Sequence, residues 1–207
     1  MTRCQFDALF IAIFPLALTI GIITIPVVSD YSNHKLAVEA ASHTLRWFWG
    51  HTISGAAFGF SILAASFIKR YLTMKGQARS GMVSLLLIAL GGALYAFGLG
   101  ADGIGPLATS AGGGMALSFF EGSGIWVSGI FIVASASFGI GLITQVVGLH
   151  HVGLLKGVLY VIVLTAAIIF LGVGAIPSGW GLYGVAVAAL IIYISISNAI
   201  WHKSMPE

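Results

Sequence analysis

Residues 81–100 read GMVSLLLIALGGALYAFGLG, a run of twenty residues without a charged side chain. An α-helix of this length is about 30 Å long, which matches the hydrocarbon thickness of a bilayer. The run lacks the strict alternation of apolar and polar residues that characterises the strands of membrane barrels. Because a bilayer admits only helices and closed barrels, we predict a membrane-spanning helix here.

Similar apolar runs recur along all 207 residues. The chain is 58% hydrophobic and only 7% charged, whereas a soluble domain has about 25% charged residues. The first run exceeds the roughly 7–15 apolar residues of a signal peptide, so we expect it to be retained. The predicted fold is an all-α bundle forming a single transmembrane domain over residues 1–207. The predicted spans are residues 8–28, 47–68, 81–100, 124–148, 153–175 and 180–201.

The charged residues of the loops predict the orientation of the bundle. The net charge is +3, but the basic residues lie in short loops, so they indicate topology rather than binding to nucleic acid. Lys69, Arg70, Lys75 and Arg79 separate the second and third spans, and Arg3, Lys156 and Lys203 fall on the same side. The opposite side carries Asp30, Glu39, Asp102 and Glu121, with Lys35 and Arg46. We therefore expect both termini to be cytoplasmic.

The candidate metal-ligating residues lie toward the outer side of the predicted bundle. No Asp, Glu, Lys or Arg lies at the centre of a predicted span, and His51 lies about one turn inside the second span. His43 precedes it by eight residues, so the two lie about 80° apart on a helix. Together with Asp102 and Glu121, which fall in a predicted outer loop over residues 101–123, they are candidate metal ligands. The alternative is that these histidines are interfacial and satisfied by backbone or water.

Tryptophans mark the predicted membrane boundaries. Trp47, Trp49, Trp126 and Trp180 fall near the outer ends of spans, and Trp201 falls near an inner end. Tryptophan is enriched at both membrane interfaces, so we predict an anchoring belt.

Residues 47–55 read WFWGHTISG, and Tyr95 follows His51 by 44 residues. This pattern resembles haem–copper oxidase catalytic subunits, specifically the C-family of cbb-type cytochrome c oxidases. The resemblance covers residues 47–102. It implies that His51 corresponds to a copper ligand and Tyr95 to the redox tyrosine, with haem or copper as the cofactor. Gly100, Ala101 and Asp102 stand where that family has a His-His pair, so oxidase activity is not carried over.

Three functions follow as expectations. The first is a noncatalytic membrane subunit of a respiratory or other redox complex, in contact with the lipid bilayer and with other membrane subunits. The alternatives are a small-solute channel or transporter, which the glycine-rich spans favour, and a b-type haem or copper protein. The expected location is the cytoplasmic membrane of a bacterium or archaeon.

Overall fold

The computed structural model describes residues 3–174, 176 and 178–203, and leaves the side chains of residues 3, 4 and 123–125 undescribed. The regular secondary structure of its described part is entirely helical, with no strand, which confirms the predicted all-α class. The helices are α1 (Arg3–Thr24), α2 (His34–Ser42), α3 (Thr44–Met74), α4 (Ala78–Ala111), α5 (Ala116–His151), α6 (Gly157–Val173) and α7 (Gly179–Lys203).

Five of these helices are long and apolar enough to cross a bilayer, namely α1, α3, α4, α5 and α7. Helix α6 is equally apolar but has 17 residues, which gives it a length of about 25 Å. Each of the six overlaps one predicted span. Residue 175, the predicted end of the fifth span, lies outside the described residues. Helix α2 has nine residues, which is too short to cross a bilayer.

These six apolar helices form a closed ring. Each packs against its neighbours in the order α1, α3, α4, α5, α6 and α7, and α7 then packs against α1. Consecutive helices of the ring are antiparallel, and their connections are short except for residues 25–43 between α1 and α3, which contain α2. Segments near the outer end complete the closure, since the Gly179 amide donates to the Val28 carbonyl at 2.7 Å and the Ser178 hydroxyl donates to the Ser29 carbonyl.

Aromatic side chains fill the centre of this ring, one from each of its six helices. This central aromatic layer consists of Phe14, Phe58, Tyr95, Phe138, Phe170 and Tyr193, each at most 1% exposed. Tyr95 stacks on Phe58 with ring centroids 4.3 Å apart, and Tyr193 meets Phe14 edge-on at 4.9 Å. Because such pairs add to the free energy of burial, the layer couples all six helices at one depth.

Helices α4 and α5 continue well beyond the predicted spans. Residues 101–111 belong to α4, and α5 begins at Ala116, so the prediction of a loop over residues 101–123 is wrong. At 34 residues, α4 is about 51 Å long and exceeds the hydrocarbon thickness. Its outer end packs with α2 and the start of α5 around a second apolar cluster, which we call the outer cap. The buried members of the outer cap are Val28, Ala37, Ala40, Ala41, Trp47 and Phe120.

The basic loops gather at the opposite end. Arg70 near the end of α3 forms an ion pair with Asp7 near the start of α1. The Lys203 ammonium donates to the Gly153 carbonyl at 2.7 Å and lies near enough to Lys75 and Lys156 for their charges to interact. The bundle therefore has one basic end and one capped end. A cytoplasmic location for the basic end remains a prediction.

Candidate functional site

A histidine and an aspartate meet beneath the outer cap. His51 of α3 places Nε2 3.3 Å from Oδ2 of Asp102 in α4, and their side chains are 1% and 9% exposed. The absence of a side chain on Gly103 permits this approach, because a Cβ there would lie 2.6 Å from the His51 Cβ. The atoms are close enough for an ion pair, but the contact is not aligned as a good hydrogen bond.

Trp47 holds both members of the pair. Its indole N–H donates to the Asp102 backbone carbonyl at 2.9 Å, and its own carbonyl lies 2.7 Å from His51 Nδ1. The two rings also contact each other, with centroids 4.4 Å apart. Trp47 and His51 are four residues apart, so they lie on one face of α3. Trp47 is fully buried, so its predicted membership of the interfacial belt is wrong.

The other three outer tryptophans lie on the surface of the bundle, as the predicted anchoring belt requires. Trp49, Trp126 and Trp180 are 53%, 74% and 62% exposed. Their positions on the outside of the bundle are those expected for residues that anchor a helix at the membrane interface.

The outer cap covers His51 and Asp102 on the side nearest the outer end of the bundle. Phe120 of α5 meets the Trp47 ring edge-on, with centroids 6.0 Å apart. Tyr31, in the segment between α1 and α2, packs against the same cluster. Burial raises the pKa of the Tyr31 phenol well above its usual value, and the nearby Asp102 carboxylate raises it further. The phenol is therefore uncharged at neutral pH.

Only two of the four predicted metal ligands come together. His43 and Glu121 are exposed, whereas His51 and Asp102 are buried in contact. Across the part of the chain that the structure describes, no three or more His, Cys, Asp and Glu residues are grouped as a metal site would require. Structural zinc sites use four protein ligands and catalytic zinc sites use three, so the described residues do not provide a zinc site.

Tyr95 lies apart from His51. It precedes Asp102 by seven residues on α4, which places it about 10 Å deeper in the bundle. Its ring belongs to the central aromatic layer, and its hydroxyl lies beside Ser135 without a well-formed hydrogen bond. The structure therefore does not bring together the two predicted cofactor-binding residues.

A haem or copper ligand must present a free nitrogen lone pair to the metal. Nδ1 of His51 lies 2.7 Å from the Trp47 carbonyl oxygen, whereas Nε2 lies 3.3 Å from an Asp102 carboxylate oxygen without a well-formed hydrogen bond. The ring is also closed in by Gly103 and the indole. The packed ring therefore leaves no room for a haem, and Asp102 is the second metal-ligating side chain that the described residues bring to His51.

Two features of the site differ from what the sequence predicts. The role of Trp47 was missed, although its spacing of four from His51 could have indicated a shared face. The burial of Asp102 was missed because Gly103, Gly105 and Pro106 around it indicated a loop. No family model, no curated protein and no solved structure matches this chain.

Proposed function

We propose that the chain is a noncatalytic integral membrane subunit that acts through contacts with other membrane proteins. The observation that carries this proposal is the central aromatic layer, which packs the bundle axis with one ring from each of six helices. A catalytic subunit needs a site that substrate can reach. Here the paired ionisable groups near the outer cap are almost fully buried, and the outer surface of the helices is what remains for partners.

The redox character of the proposed complex rests on the resemblance of residues 47–55 alone. Among the described residues, His51 has one further metal-ligating side chain beside it, that of Asp102, so we assign any haem or copper of the complex to partner subunits. What supports the proposal is a bundle whose centre is occupied by six aromatic rings, one from each helix of the ring.

Purification of the tagged full-length chain from its native membrane in a mild detergent tests the proposal. We expect stoichiometric co-purification of other membrane subunits and, for a redox complex, a visible absorption spectrum carried by them. The same chain expressed alone in a foreign host should show no such spectrum. A native preparation containing this chain alone would overturn the proposal, and partners without an absorbing cofactor would overturn only its redox part.

A small-solute channel or transporter is the second candidate, and buried polar atoms favour it. Within the part of the chain that the structure describes, the Tyr193 hydroxyl, the Ser54 hydroxyl and both polar atoms of the Gln145 side chain lack hydrogen-bond partners. An unsatisfied polar group in an apolar interior costs several kcal/mol, so water or a polar solute would stabilise these positions. Solute flux into liposomes containing the purified chain tests this candidate. Flux that Gln145→Leu lowers at least about tenfold would support it, and the absence of flux for water and small neutral solutes would refute it.

A further inference from the structure

Three lysines that are far apart in sequence come together at the basic end of the bundle. The Lys203 ammonium at the end of α7 donates to the Gly153 carbonyl at 2.7 Å. Lys156 reaches the same glycine, because a Cβ at Gly153 would lie 3.4 Å from the Lys156 Nζ. Lys75, the residue that follows α3, is close enough for its charge to act on Lys203. We call Lys75, Lys156 and Lys203 the lysine cluster.

The lysine cluster has no acidic partner among the residues that the structure describes. Asp7 is the one described acidic side chain at the basic end, and it is paired with Arg70. The other described acidic residues lie toward the capped end, namely Asp30, Glu39, Asp102 and Glu121. The three lysines are exposed, so a ligand can reach them. Because like charges held close together repel each other, an anion bound between them would stabilise the arrangement.

The start of α6 adds to the positive potential of the lysine cluster. Lys156 is the residue before the first turn of α6, and its side chain forms no capping hydrogen bond. That first turn contains no acidic residue. The backbone N–H groups at the start of a helix carry a partial positive charge. An anion beside Lys156 would therefore interact favourably with the helix terminus as well as with the ammonium groups.

The surface next to the lysine cluster is apolar and exposed. Val158, Val161 and Ile162 follow Lys156 on α6, and all three side chains are exposed on the outside of the bundle. Trp201 lies two residues before Lys203, and tryptophan is enriched at the depth of the lipid headgroups. A ligand at this position can therefore contact positive charge through one part and an apolar helix surface through another. A phospholipid has both parts, a phosphate group and acyl chains.

We propose that the lysine cluster binds the phosphate group of an anionic phospholipid, whose acyl chains lie along the exposed face of α6. Lysines at the membrane surface attract anionic headgroups. The headgroup of a zwitterionic phospholipid also carries a cation, which the three ammonium groups would repel, so we expect the site to select lipids of net negative charge. The site lies at the opposite end of the bundle from His51 and Asp102. It does not depend on the proposed subunit function.

Lipid binding to the purified full-length chain tests the proposal. The chain in a nonionic detergent is mixed with phosphatidylglycerol or phosphatidylcholine of identical acyl chains, and native mass spectrometry measures the lipid-bound fraction. We expect phosphatidylglycerol to bind at least about tenfold more tightly than phosphatidylcholine. Lys156→Gln should lower the affinity for phosphatidylglycerol by about fivefold, the contribution of one lysine at a membrane surface. Lys156→Arg keeps the charge and should keep the wild-type affinity.

Lys35→Gln is the matched control, because it removes one exposed lysine charge at the capped end. It should leave the affinity for phosphatidylglycerol unchanged. Equal affinities for the two lipids would overturn the proposal, as would equal losses in Lys35→Gln and Lys156→Gln. Competition with inorganic phosphate, at an ionic strength matched with chloride, separates a lipid headgroup from a free phosphate. Displacement of phosphatidylglycerol by an equimolar amount of inorganic phosphate would overturn the assignment to a lipid.

Discussion

Trp47 shows how one buried contact changes the role of a residue that sequence position assigns to the membrane interface. Its neighbour Trp49 is 53% exposed, whereas Trp47 is fully buried and donates its indole N–H to Asp102. Side chains two residues apart on a helix point about 200° away from each other. Trp47 can therefore face the core while Trp49, at nearly the same depth, faces the outside of the bundle. Position along the chain predicts depth, but only the packing of α3 against α4 determines which face is inside.

Trp47→Phe should therefore destabilise the protein, while Trp49→Phe should not. The first change removes a buried hydrogen bond and part of a large ring beneath the outer cap, at a cost of about 1–3 kcal/mol. The second leaves an aromatic ring at the exposed position and should change the free energy of unfolding by less than about 0.5 kcal/mol. Denaturant unfolding of both variants in the same detergent measures the difference. Equal free energies of unfolding for the two variants would show that the buried Trp47 indole and its hydrogen bond do not stabilise the protein.

The six apolar helices were predictable because an apolar run of about 20 residues has few alternatives in a bilayer, whereas the short helix α2 was not predicted. The ends of α4 and α5 were not. Residues 101–111 contain Gly103, Gly105 and Pro106, which locally favour a loop. Packing against α2 and α5 overrides that preference, and proline is tolerated in membrane helices when neighbouring groups compensate. The extension is what carries Asp102 into the interior beside His51.

Close approach of α4 and α5 gives a test of the packing between these elements. A Cβ at Gly91 would lie 2.5 Å from the Phe138 backbone nitrogen and 2.7 Å from the Ala134 carbonyl oxygen. Gly91→Ala should therefore force the helices apart and destabilise the bundle by about 1–3 kcal/mol. Gly59 has open space at its Cβ position on the exposed face of α3. Gly59→Ala should be neutral or stabilising by up to about 1 kcal/mol. Thermal unfolding compares the two variants. A Gly91→Ala protein as stable as the wild type would show that α4 and α5 do not approach each other this closely at Gly91.

At the scale of the whole molecule, the order of neighbours in the ring was beyond the sequence. The six rings of the central aromatic layer come from six different helices, and no local pattern distinguishes Phe14 or Phe138 from other apolar residues of their runs. Their meeting depends on the rotation and depth of every helix at once. The gathering of basic residues at one end was predictable, because antiparallel helices joined by short loops return alternate connections to the same side.

The orientation of the bundle remains to be tested, and the short helix α6 makes the test specific. Excess Lys and Arg in short loops favours the cytoplasmic side, so the basic end should face the cytoplasm. In a Cys4→Ser background, Ser118→Cys and Ser178→Cys should react with a membrane-impermeant maleimide in intact cells. Ala78→Cys and Lys156→Cys should react only after permeabilisation.

Residues 156 and 178 flank α6, so labelling of both from one side would show that its 17 residues do not cross the bilayer. The opposite labelling pattern at all four positions would show that the bundle has the reverse orientation in the membrane. The order of helices in the ring would not be affected by that result.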